Sequence, residues 1–167
     1  MSDVYAPLGS VSEATLRPAD LIGAFSDMLD SLKDELITSG DESVKPDVER
    51  IDNLLGDIEQ RGQVEGYWES EDPSFDVEAL RDELDNFAPP YAYFGAHIGD
   101  GADFGFWPDV ELVEQEIEVG ALPKVSGTDE LPAGYSGDVA IVNDHGNLTV
   151  GYYSAESDEL TEYWAIV

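Results

Sequence analysis

The chain has no cysteine, only two histidines, and seven basic residues set against 38 acidic ones. The missing thiols exclude disulfides, thiolate metal sites and cysteine nucleophiles. The scarcity of bases excludes a cationic groove for phosphate, so direct nucleic-acid binding is not expected. No run approaches the roughly 18 consecutive apolar residues of a membrane helix. The first residues also lack the basic start and apolar core of a signal peptide, so no membrane association is expected. The expected compartment is the cytoplasm.

What remains is a chain of 167 residues that is 42% hydrophobic and 10% aromatic, with a net charge of −31. Its length and apolar content suit one domain with a real core, and its aromatics argue against the disorder that strong acidity otherwise favours. Two carboxylates about 6 Å apart repel by roughly 0.7 kcal/mol even at the dielectric of water, so dozens of such pairs weigh on the compact state. Three origins of such a balance are open: general adaptation to high salt, calcium-ligating loops, or imitation of nucleic acid by acids arranged on rigid elements.

Residues 1–14 show no periodicity and read as a flexible or loosely docked arm before a single α+β domain over 15–167. The first firm helix is "LRPADLIGAFSDMLDSLKDEL", with Pro18 at its start and Gly40 as its stop. At 100° per residue, Leu21, Ile22, Phe25, Met28, Leu29, Leu32 and Leu36 share an arc of about 120°. Asp20, Asp27, Asp30 and Asp34 gather on the opposite side. A plain solvated face would normally interleave bases with these acids, yet Lys33 is the only one between Pro18 and Gly40. A second helix is predicted from Pro46 to Gly62, with Val48, Ile51, Leu54, Leu55 and Ile58 inward. A third covers "SFDVEALRDELDNF", where Ser74 or Asp76 could cap and Pro89 and Pro90 follow.

After residue 90 the texture changes, since 11 of the 17 aromatics lie in 91–167. "YAYFGAH" and "DFGFW" are strand candidates around a glycine-rich turn. "PDVELVEQEIEVG" is predicted as a short helix, and Asp144-His145-Gly146-Asn147 marks a hairpin. The sum is N-terminal helices over 15–90, then a mainly β part over 91–167: a small antiparallel sheet with one inserted short helix. Residues 1–90 hold 23 acids and 6 bases, net −17, and residues 91–167 hold 15 acids and one base, net −14. The acidity is therefore no tail.

Two turns raise the question of catalysis. His97, Asp100 and Asp103 recur at three-residue intervals, and Asp144 adjoins His145. Were the turns to meet, they could ligate a metal for a hydrolase. Neither spacing follows a calcium loop or a zinc motif, and Asp, Asn, Gly and His are what turns themselves need. Phe104, Phe106, Trp107, Tyr152, Tyr153, Tyr163 and Trp164 read as packing residues of a sheet, because a surface so negative repels the phosphates that base stacking would bring.

The stretch "APPYAYFGAHIGDGADFGFWPDVE", with "LRPADLIGAF" before it and "VNDHGN" after it, resembles a group of uncharacterised small acidic proteins of bacteriophages and prophages. The resemblance covers most of residues 15–167; the first 75 residues are longer and more acidic than in a minimal member. It implies a viral or mobile-element context, in which small, cysteine-free, very acidic folded proteins look like DNA mimics. Such proteins inhibit restriction enzymes, CRISPR effectors or repair factors by occupying the groove meant for DNA. Acids every three to four residues of a helix, roughly 5–6 Å apart, are comparable to phosphate spacing. The expected function is thus non-enzymatic inhibition of a basic DNA- or RNA-binding host protein, with no cofactor and with a homodimer possible. The expected acidic face comprises Asp20, Asp27, Asp30, Asp34, Glu35, Asp41, Glu42, Asp109, Glu111, Glu114 and Glu118. A generally acidic, halophile-like protein of other function is the alternative, and a metal-dependent hydrolase at His97, Asp100, Asp103, Asp144 and His145 the second.

Overall fold

The computed structural model describes residues 4–167, and its fold class is α+β, with helices first and strands following. The described chain separates into two compact units. One runs to Ala88 and also takes in Tyr93–Trp107; the other comprises Pro89–Ala92 and Pro108–Val167. The hairpin after residue 90, expected in the β part, thus belongs with the helices.

In the first unit, α1 (Pro18–Ser39) buries Leu21, Ile22, Phe25, Leu29, Leu32 and Leu36, as its apolar stripe requires. Each such side chain contributes about 1.5–3 kcal/mol on burial. Six of them outweigh the repulsion among the carboxylates on the outer face. Gly40 ends the helix in the left-handed conformation at φ 70°, which costs glycine little. Helices α2 (Lys45–Gly62) and α3 (Asp72–Asp85) complete the bundle, with Ile51, Leu80 and Leu84 fully buried. Neither Ser74 nor Asp76 caps α3: its N-terminus has no side-chain cap, Pro73 stands in its first turn, and Asp76 is buried.

A three-stranded sheet joins these helices, in the order β1 (Gly9–Ser12), β3 (Asp100–Pro108), β2 (Ala92–His97). Phe25 of α1 meets it edge-on, 5.1 Å from the Phe94 ring and 5.7 Å from the Phe104 ring. The segment expected to be a loose arm is docked. Ala6 is buried, its N–H bonds the Phe87 carbonyl at 2.8 Å, and β1 pairs antiparallel with β3. Residues 1–3 of that arm lie outside the described residues. Gly105 makes the docking feasible, because a Cβ there would run into the carbonyl oxygen of Gly9.

The second unit holds α4 (Val110–Glu118) and a separate four-stranded sheet. Its strands run in chain order: β4 (Lys124–Val125), β5 (Gly137–Val142), β6 (Leu148–Ser154) and β7 (Glu159–Ile166). β5, β6 and β7 pair antiparallel, whereas β4 lies parallel to β5. One antiparallel sheet was expected; two sheets are present, the second of them mixed. The β5–β6 hairpin is where the sequence places it. Gly146 takes φ 83°, and the Asn143 side chain accepts from the His145 and Asn147 N–H groups. Val113, Leu122, Val139, Ala140, Val150 and Trp164 are buried in this unit, and the Trp164 indole N–H reaches the Pro90 carbonyl at 2.9 Å.

Candidate functional site

α1 carries Asp20, Asp27, Asp30, Asp34 and Glu35 on its exposed surface, off the apolar stripe. Among the described residues, Asp27, Asp34 and Glu35 form no ion pair. Asp20 accepts from the Thr15 hydroxyl at 2.7 Å and lies 3.8 Å from the exposed Arg17 guanidinium. Asp30 takes the Lys33 ammonium at 2.8 Å, and the same ammonium reaches Asp52 of α2 at 3.0 Å. These two acceptors, Asp30 foremost, hold the Lys33 pKa well above the ordinary lysine value. Lys33 therefore ties α1 to α2 and leaves the outer acids of α1 bare.

At the α1–α2 junction, Asp41 accepts from both the N–H and the hydroxyl of Ser43 at 2.8 Å. These bonds, the backbone one first, hold its carboxyl below the usual range. Glu42 pairs with Lys45 at 2.6 Å in the open. The remaining expected acids lie on α4 in the second unit. Asp109 caps that helix through the Leu112 N–H at 2.9 Å, while Glu111, Glu114 and Glu118 are exposed and enter no ion pair among the described residues. The expected face is thus two sets of acids, one on each unit.

Three of the bases, Lys33, Arg50 and Arg61, brace one helix against another. Five of the seven are in ion pairs with carboxylates of the same chain. Arg50 of α2 directs its Nε to both oxygens of the buried Glu83 of α3, at 3.0 and 2.8 Å, and its Nη1 to Asp47 at 2.7 Å. The Glu83 bond above all raises the pKa of this guanidinium further above its ordinary value. Arg61 holds the buried Asp76 through Nη2 at 2.6 Å and Nε at 3.2 Å, and the Tyr67 hydroxyl adds a third bond at 2.6 Å. Burial first, and Asp76 second, push the Tyr67 pKa up. Arg81 stands over the Phe104 ring at 5.9 Å, a cation–π contact.

These braces were readable only as anomalies. Asp76 and Glu83 fall on the same face of α3 as Val77, Leu80 and Leu84, where an unpaired carboxylate could not remain. The positive charges at Arg50 and Arg61 of α2 are the sequence signal that resolves them.

The two histidine turns lie one in each unit. In the first unit, His97 Nδ1 accepts from the Gly99 N–H at 3.1 Å, and its ring lies edge-on to Trp107 with centroids 4.7 Å apart. Asp100 accepts from the Ala102 N–H at 3.0 Å, and Asp103 accepts the Ser10 hydroxyl at 2.6 Å, fastening β1. In the second unit, Asp144 and His145 are exposed at the hairpin tip. Among the described residues, no three His, Asp or Glu side chains gather as a metal ion would need. No described helix is long and apolar enough to cross a membrane.

A further cluster went unforeseen. Asp138 of β5 accepts from the hydroxyls of Tyr91 at 3.1 Å and Tyr163 at 2.9 Å, while Tyr135 donates to the Asp138 carbonyl at 2.6 Å. Burial first, then the Asp138 charge, pushes the Tyr91 phenol up to about 12. No protein-family model matches the chain, and neither does any curated protein or solved structure.

Proposed function

We propose that the protein is a non-enzymatic inhibitor of the phage type, presenting DNA-like charge to a basic nucleic-acid-binding protein of a host cell, such as a restriction, CRISPR or repair factor. The observation that carries this reading is the division of labour among charges. Lys33, Arg50 and Arg61 are drawn into pairs that link one helix to another, and the outer row of α1, at Asp27, Asp34 and Glu35, enters no ion pair among the described residues. A partner evolved to release counterions from phosphate gains similarly from a rigid row of carboxylates. The test is competition: the protein should displace duplex DNA from at least one such enzyme, with affinity falling steeply as salt rises. Inhibition that ignores both DNA and salt would sink the reading.

One observation favours a second reading, in which acidity serves solubility or a saline habitat. The second unit bears bare acids as freely as the first, as a whole-surface property would require. Such a protein should need molar salt to fold, and cooperative unfolding at a high temperature in dilute buffer would remove that option.

A further inference from the structure

A groove of about 430 Å³ lies between α1 and α2 in the first unit. Ile22, Leu55 and Ile58 give it apolar walls, Asp30 and Glu59 bring carboxylates from the two helices, and Trp68 completes the lining. Trp68 is 50% exposed, on a 3₁₀ turn that follows α2. It is not loosely held. Its ring meets the Tyr67 ring edge-on at 4.8 Å and 81°, and Tyr67 is itself fixed by its bond to Asp76. The turn therefore presents an indole beside the groove on a braced footing.

The groove's chemistry selects one kind of side chain. An apolar wall suits an aliphatic stem, an exposed indole suits a flat delocalised cation, and carboxylates suit N–H donors. Glu59 enters no ion pair among the described residues, and Asp30 has only Lys33. Arginine offers all three properties. Lysine offers the stem and the charge, but its compact, strongly hydrated ammonium stacks and forks less well. Anions are repelled by the same carboxylates, and a second copy of a chain at −31 is disfavoured by its own charge.

We propose that the α1–α2 groove receives an arginine side chain of a basic protein partner, its guanidinium on the Trp68 indole and its N–H groups toward Asp30 and Glu59. This rests on the reading above that the partner is basic, and it adds an anchor that is specific where the bare acids of α1 are not. Charge rows attract any polycation; the groove discriminates.

The test compares octa-arginine with octa-lysine peptides on the intact protein at physiological salt. In the wild type, octa-arginine should bind more tightly and change tryptophan emission saturably. Trp68→Leu, which keeps apolar bulk, should weaken octa-arginine five- to tenfold and abolish the emission change, while octa-lysine shifts less than twofold. Glu59→Gln, at an exposed position that leaves the core untouched, should weaken octa-arginine about threefold and keep the emission change. Trp68→Tyr, retaining a ring should the leucine variant fail to melt cooperatively, should keep most of the preference for arginine. Equal losses for both peptides in the Trp68 and Glu59 variants, or no loss for either, would overturn the proposal. That result would leave the mimicry reading standing, because mimicry fails on a separate observation, the absence of competition with DNA.

Discussion

The two units solve one problem differently. Both must bury or half-bury carboxylates within a chain that is short of bases. In the first unit, Asp76 and Glu83 are buried and each is met by an arginine reaching across from α2. The second unit has a single base, Lys124, which forms no ion pair among the described residues, and there Asp138 is held by tyrosine hydroxyls instead. A guanidinium neutralises the carboxylate; a phenol only solvates it. Asp138 accordingly stays partly accessible, whereas the arginine-held acids sink into the interior. The two most buried carboxylates are the ones that receive a guanidinium.

Removing an arginine brace should have the largest effect. Arg61→Ala leaves Asp76 buried with only the Tyr67 hydroxyl, and loss of about 3–5 kcal/mol is expected in urea unfolding, as for other buried pairs broken from one side. A loss below 1 kcal/mol would mean the pair is not a brace. Tyr163→Phe removes one of two phenols from Asp138 and should cost about 1 kcal/mol, because the carboxylate keeps Tyr91 and some water.

The tyrosine brace should also show itself through pH. Tyr91 ionises near 12 in the fold, above its ordinary value of 10. Below pH 10 its contribution to stability is complete. As pH rises from about 10 to 12 the unfolded chain gives up this proton while the fold retains it, so stability declines, and the contribution is gone above 12. Tyr91→Phe should flatten that decline in an alkaline unfolding series, whereas an unchanged slope would remove Tyr91 from the account. The smallest effect belongs to the open pair Lys45–Glu42, where Lys45→Ala should change stability by less than about 0.5 kcal/mol.

The same contrast governs what could be read in advance. α1 and α2 were legible because a stripe of Leu, Ile and Phe at helical spacing, with Pro18 or Pro46 near the start, leaves little room for another structure. Strand β1, "GSVS", carries no such pattern. It is placed by a distant feature, the missing Cβ of Gly105, which no local window contains. Likewise, Phe94 and Phe104 looked like members of a later sheet until Phe25, some 70 residues earlier, proved to be their packing partner. Among the site residues, exposure of the α1 acids followed from the helical wheel. Which of them would be neutralised did not, since Lys33 reaches across to Asp52 on another helix.

The mimicry reading depends on the unneutralised row of α1, so reversing it is the most direct trial. The triple variant Asp27→Lys, Asp34→Lys, Glu35→Lys alters only exposed positions that enter no ion pair among the described residues and should fold like the wild type by circular dichroism. Measured against duplex DNA for a DNA-binding protein that the wild type inhibits, it should lose competition altogether, and the wild type's steep dependence on salt should go with it. Competition retained at wild-type strength, with the same salt slope, would contradict the account.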